Sequence, residues 1–165
     1  MRATQEEEFV DFVTTASPRL LTTAWMLTGD PVRAEDLVQE ALERVYVRWR
    51  RLRTGDPHAY ARRIVTNLHT DSWRRRRREQ LTAAVPDRPQ RPGRPGSEEA
   101  VDLVRALQLL PRRERECVVL RHYLDVSEKD TAATLGVSVG TVKSSTSRGL
   151  AALRAALNEG DRTHV

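Results

Sequence analysis

The sequence predicts an all-α chain: two small helical domains joined by a flexible linker rich in proline and arginine. Three observations carry this. Ala34, Leu37, Val38, Ala41, Leu42, Val45 and Trp49 recur at helical period along the best amphipathic stretch in the chain. From Glu79 to Gly96 the composition shifts: no apolar residue of the core-forming kind follows Val85, and Pro86, Pro89, Pro92 and Pro95 alternate with Arg88, Arg91 and Arg94, the composition of an extended spacer. Beyond it, Ser127 to Leu153 reads as two short helices around a tight turn. The expected boundaries are 5–78 for the first domain, 79–96 for the linker, 97–157 for the second domain and 158–165 for a tail.

In chain order, a first helix from Glu6 would bury Phe9, Phe12 and Val13. Three more open with a capping residue and then proline at the first helical position: Ser17-Pro18, Asp30-Pro31 and Asp56-Pro57. The second would bury Leu20, Leu21, Ala24, Trp25 and Leu27 and stop before Gly29. The third, from Pro31 to about Arg51, turns Asp36, Gln39, Glu40 and Glu43 away from its apolar stripe. The fourth, from Pro57, carries Tyr60, Ala61, Ile64 and Leu68 inward. Its outer side holds Arg62, Arg63, Thr66 and Asn67, then Trp73 and the run Arg74 to Arg78.

In the second domain, one helix holds Val101, Val104, Leu107 and Leu110, and another follows Pro111 with Cys117, Val118 and Leu120. Ser127 then caps a short helix with Asp130 in its first turn. Gly136 suits a left-handed backbone, and Ser138 caps the next helix. That last helix would pack Val142, Gly149, Leu150 and Leu153 inward and hold Lys143, Ser144, Ser147 and Arg148 on the other side. Ala132, four residues before Gly136, with apolar residues on both sides of the glycine, gives helix-turn-helix spacing. Thr131 and Ser145 stand where such motifs usually carry larger aliphatic residues, which predicts looser packing. The plain alternative is an αα-hairpin with a solvated polar face.

A formal charge of +5 favours a polyanionic partner, and only Lys129 and Lys143 supply it as lysine. The single cysteine, Cys117, excludes an internal disulfide and a multi-cysteine zinc site, and reads as a buried thiol. No apolar run reaches the length of a membrane span, and the start MRATQEEEF lacks a signal-peptide core, so a soluble, cytoplasmic chain is expected. An enzyme is disfavoured. His58, His69, His122 and His164 show no metal-ligand spacing, and there is no Glu-x-x-His pair, glycine-rich phosphate loop or nucleophile elbow. No cofactor or metal is expected.

Four segments together resemble a bacterial extracytoplasmic-function sigma factor of the sigma-70 family. They are TGDPVRAEDLVQEAL (Thr28–Leu42), DPHAYARRIVTNLHTDSWRRRRR (Asp56–Arg78), LPRRERECVVLRHYLD (Leu110–Asp125) and LGVSVGTVKSS (Leu135–Ser145). The tract from Gly29 to Arg78 is most similar to the SigE-like actinobacterial subgroup. The resemblance implies that the first domain is sigma region 2 and the second sigma region 4. It also implies core RNA polymerase (the β′ coiled coil and the β flap) and promoter DNA as partners, an anti-sigma factor as a further one, and no catalytic residue in the chain.

On that resemblance, Asp36, Gln39, Glu40 and Glu43 would dock on the polymerase β′ coiled coil. Arg62, Arg63, Asn67, Trp73, Arg74 and Arg75 would meet the −10 element. There the Asn67 amide can bond a flipped base in two directions, and the arginines can bind phosphate. The loop Arg50–Gly55 would help set −10 preference. Tyr60 reads as core, and Trp73 as core or stacking surface. Ser138, Thr141, Lys143, Ser144, Ser147 and Arg148 would face the −35 element, with Arg148 able to bind guanine bidentately. The competing function is a stand-alone helix-turn-helix transcriptional regulator. It would need a dimer to read two half-sites, and would leave the acidic face around Asp36 without a use.

Overall fold

The computed structural model describes residues 3–80 and 97–163. Among the described residues there is no strand. The elements are α1 (Ala3–Thr28), α2 (Pro31–Leu52), α3 (Pro57–Gln80), α4 (Glu98–Gln108), α5 (Arg112–Val118), a π-helical turn (Val119–Tyr123), α6 (Glu128–Leu135) and α7 (Val139–Thr163). Residues 3–24 with 32–80 form one compact unit, and residues 25–31 with 97–163 form the other. Of the expected linker, Glu79 and Gln80 end α3, and 81–96 lie outside the described residues.

The helix boundary expected at Ser17-Pro18 does not form. α1 runs through Pro18, and the Ser17 hydroxyl donates back to the Val13 carbonyl at 2.6 Å instead of capping. The reason is packing. Phe12, Ala16, Leu20 and Ala24 are all buried at four-residue spacing, so one stripe continues across the proline. Losing one backbone bond costs about 3 kcal/mol in a helix interior, and four buried side chains outweigh that.

In α2, Ala34, Leu37, Val38, Ala41, Val45 and Trp49 are buried as the periodicity predicts, while Leu42, expected in the same stripe, is only half-buried. Trp49 anchors an aromatic cluster, with ring centroids 5.2 Å from both Phe9 and Phe12, and His58 packs 4.9 Å from Phe12. α3 opens as expected, with Asp56 Oδ1 accepting from the Ala59 amide at 2.9 Å. Ala61, Ile64, Val65, Leu68 and His69 form its buried face.

The second unit builds its core from Val104, Leu107, Leu110, Val118 and Val119, and a second cluster from Cys117, Leu120, Leu124, Ala132, Leu135 and Val142. The Ser127 hydroxyl caps α6 by accepting from the Asp130 amide. Gly136 ends that helix at φ +66°, the left-handed region that glycine enters without a Cβ penalty. Thr131 and Ser145 are buried, and α7 extends past the expected domain end to Thr163.

Candidate nucleic-acid and protein interfaces

On α2, Asp36 and Gln39 are exposed, and the acidic face splits into two neighbouring rows. In one, Glu40 Oε1 accepts from Arg44 Nη2 at 2.7 Å. In the other, Gln39 Nε2 donates to Glu43 Oε1 at 3.3 Å. This second row borders an apolar groove of about 640 Å³ between α1 and α2, lined by Phe9, Val13, Leu21, Val38, Leu42, Tyr46 and Val47. Val47 is 84% exposed and Tyr46 46%. Sequence reasoning missed this groove. Its one signal was that Tyr46 and Val47 are large apolar residues lying off the buried stripe.

Along α3, about 3.6 residues per turn puts Arg63, Asn67 and Arg74 in one row and Arg62, Trp73 and Arg77 in another beside it. Arg63, Asn67, Arg74 and Arg75 are exposed, and Arg62 and Trp73 are half-buried. One expectation fails here: Thr66, read as outward, is fully buried and turns its hydroxyl onto the Arg62 carbonyl. Arg75 is exposed, as expected of the arginine run, on the line of Ile64 and Leu68 beside the Asn67 row. Arg77 lies over the Trp73 ring. Tyr60 is only half-buried, and Arg48 Nη1 donates to its hydroxyl. The loop before α3 is shorter than read, because Arg50 and Arg51 are helical. Arg53 ties that loop to α1 through Glu8 at 2.7 Å.

Lys143, Ser144, Ser147 and Arg148 are exposed together on α7, opposite the buried Val142, Ser145 and Gly149. Ser138 Oγ accepts from the Thr141 amide at 3.1 Å and meets its hydroxyl at 2.9 Å, so both residues are engaged in the cap. Ser144 Oγ donates to the Thr141 carbonyl. The two cations of this face have carboxylate neighbours that sequence reasoning did not single out. Lys143 Nζ is 3.7 Å from Glu128, and Arg148 Nε is 3.2 Å from Glu114.

Behind this face, Glu116 is fully buried and bonds Arg112 Nη1 at 2.8 Å and Arg113 Nη1 at 3.1 Å. Arg113 Nη1 also reaches the Leu135 carbonyl, at the turn before α7. Burial pushes the Glu116 carboxyl above the usual carboxylate range, and the two arginines pull it part of the way back. Arg115 donates to the carbonyls of Leu107 and Leu110, fixing α5 to the end of α4. Burial also pushes the Cys117 thiol up, so it is held as an unreactive core group. Among the described residues no group of three or more acidic, histidine or cysteine side chains could hold a metal ion, and no helix is long and apolar enough to cross a membrane.

Residues 12–79 match the family described as Sigma-70 region 2, and residues 100–153 match Sigma-70, region 4. The RNA polymerase sigma-E factor of Streptomyces coelicolor is 41% identical over 151 residues, covering 89% of this chain and 84% of that protein. The ECF RNA polymerase sigma factor SigE of Mycolicibacterium smegmatis is 35% identical over 82% of this chain and 56% of its own length. Among solved structures, the sigma factor RpoE in complex with the anti-sigma factor NepR from Bartonella quintana superposes with a TM-score of 0.74. Its identity is 28%, covering 92% of this chain and 98% of that one. CnrH in complex with the cytosolic domain of CnrY gives 0.61 at 26% identity, covering 92% and 88%.

Proposed function

This chain belongs to the sigma-70 family, as an extracytoplasmic-function RNA polymerase sigma factor of the sigma-E kind, and on that premise we propose how its residues divide the work. It is a promoter-specificity subunit: it binds core RNA polymerase and directs transcription initiation, a role without catalysis of its own. The observation that carries this is the presence of both sigma-70 regions, in order, on one chain. It acts in the cytoplasm, where the polymerase is. Its structural neighbours are sigma factors held by anti-sigma factors, and such a protein is a second partner for this chain.

Region 2 spans 5–78 and region 4 spans 97–157, with 79–96 as linker and 158–165 as tail. Asp36, Gln39, Glu40 and Glu43 dock on the β′ coiled coil, and the groove beside Gln39 and Glu43 adds apolar area that carboxylates alone lack. Arg63, Asn67 and Arg74 form the row that meets the −10 element, Asn67 reading a base and the arginines holding phosphate. Arg62 and Trp73 flank that row, and Arg75 adds charge without sharing it. On α7, Lys143, Ser144, Ser147 and Arg148 face the −35 major groove, while Ser138 and Thr141 present the helix start to phosphate. The β flap holds region 4 in place.

The test is binding to purified core RNA polymerase, comparing wild type with the Asp36→Arg, Glu40→Arg double variant. Tight wild-type binding, weakened roughly tenfold or more in a folded variant, is expected. A wild-type chain that binds promoter duplex but no core polymerase would establish the stand-alone regulator instead.

A further inference from the structure

The two carboxylates that meet the cations of α7 differ in kind. Glu128 is shared, with Arg121 Nη2 at 4.0 Å as well as Lys143 Nζ at 3.7 Å, and both distances are long. Glu114 is different. Its side chain is only 15% exposed while that of Arg148 is 64% exposed, so a sunken carboxylate holds the base of an outward guanidinium. Gly149 creates this junction. A Cβ there would lie 2.7 Å from Val118 Cγ2 and 3.1 Å from the Glu114 carbonyl oxygen, so only glycine lets α7 approach α5 at this point. The close approach carries the neighbouring Arg148 to Glu114.

The contact runs from Nε to Oε1 at 3.2 Å. A guanidinium held on its Nε edge still presents Nη1 and Nη2, whose parallel N–H groups fit the O6 and N7 acceptors of guanine. An arginine whose rotamer is already fixed loses less freedom on binding a base. A carboxylate beside the groove also repels phosphate, which weakens binding to any sequence that does not offer Arg148 its partner.

We propose that Glu114 is a positioning residue that orients Arg148 for one base pair of the −35 element, so that a residue outside the recognition helix sets part of the promoter specificity. This rests on the reading that α7 enters the −35 groove, and the experiment separates the two. Holoenzyme assembled from core polymerase and the full chain selects from a duplex library randomised across both promoter elements, and the bound pool is sequenced. Arg148→Ala identifies the position that Arg148 reads.

Glu114→Ala is expected to lower preference at that same position about fivefold, the size of an ordinary coupling between touching side chains, and to leave the other positions unchanged. Affinity for promoter-free duplex should be equal or higher. Glu114→Gln keeps an acceptor oxygen and should recover part of the preference. It also serves as the informative variant if Glu114→Ala does not fold. Added to Arg148→Ala, the Glu114→Ala change should have no further effect on base preference. Full preference in both Glu114 variants, uniform loss at all positions, or an equal loss in the Arg148→Ala background would overturn the proposal. An Arg148→Ala variant that changes no −35 position would overturn the reading of α7, and the inference with it.

Discussion

Arg77 lies over the indole of Trp73, its guanidinium carbon 5.3 Å from the ring centroid. The two are one helical turn apart, so the end of α3 carries an aromatic face already occupied by a cation. Such a pair is worth about 0.5–1 kcal/mol at an exposed site, and a stacked base gains about 1–3 kcal/mol on an aromatic side chain. If Trp73 meets promoter DNA, a stacked base would displace Arg77 from the ring and leave its guanidinium for phosphate. Trp73→Ala should slow open-complex formation about tenfold. Arg77→Ala should mainly lower the salt dependence of promoter binding by about one phosphate contact. Stopped-flow measurement of opening, with a salt series, distinguishes the two. Equal effects of both variants on opening would show that the pair only stabilises the helix end.

Glu116 gives a prediction about stability. Its carboxylate is buried between Arg112 and Arg113. Glu116→Ala would remove the carboxylate that both guanidinium groups bond, and removing one partner of a buried pair costs about 3–5 kcal/mol. Arg113 also holds the Leu135 carbonyl, so the turn before α7 should loosen as well. Chemical denaturation of the full chain measures the loss, and a change below about 1 kcal/mol would show that the pair is dispensable.

The same residue sets a pH dependence. The folded carboxyl titrates above its unfolded value, chiefly through desolvation. Between those two values the native state binds more protons than the unfolded chain, so this group's contribution to stability falls as pH rises through that window and is constant above it. Glu116→Gln has no such proton. Wild type should therefore gain stability relative to Glu116→Gln as pH drops from above the folded value towards the ordinary glutamate range. Parallel denaturation curves across that range check it, and a difference between the two proteins that is independent of pH would show that the carboxyl is not shifted upward.

Gly149→Ala tests the packing between α5 and α7. Alanine is the better helix former by about 1 kcal/mol. The added methyl, however, would sit 2.7 Å from Val118 Cγ2 and 3.1 Å from backbone at Glu114. Overpacking of this kind costs about 1–3 kcal/mol because a helix must move. Net destabilisation is expected, together with weaker −35 binding, read from denaturation and from promoter affinity. A stabilised variant would mean that the two helices separate at no cost.

Local signals were enough to locate α2, to place Ala61, Ile64 and Leu68 on the buried side of α3, and to find the caps at Ser127 and Ser138. They failed where tertiary packing overrode them. Ser17-Pro18 has the form of a helix start, yet the Phe12–Ala16–Leu20–Ala24 stripe continues through it. Thr66 is polar and was read as outward, but its hydroxyl is satisfied by its own helix and so could be buried. The partners of Lys143 and Arg148 lie on other helices, where no sequence spacing reveals them. Asn67 and Arg63 were legible as one face, and helical phase alone already limits how many of the five adjacent arginines can share it.

The groove between α1 and α2 yields the last prediction. Val47 is 84% exposed and lines this groove with Tyr46, Leu42 and Phe9, while Gln39 and Glu43 border it. An exposed valine contributes little to the stability of the free chain, so Val47→Asp should leave its denaturation midpoint nearly unchanged, within about 0.5 kcal/mol. If the groove accepts an apolar side chain of the polymerase coiled coil, the same change places a charge in a desolvated contact. Core binding should then weaken about tenfold or more. Asp36 lies outside the groove, so Asp36→Ala should act mainly through association rate and be masked by salt, whereas Val47→Asp should act through dissociation and persist at high salt. Surface-binding kinetics at two salt concentrations separate these outcomes. If Val47→Asp binds core polymerase as wild type does while Asp36→Ala does not, docking is confined to the acidic row and the groove is not part of it.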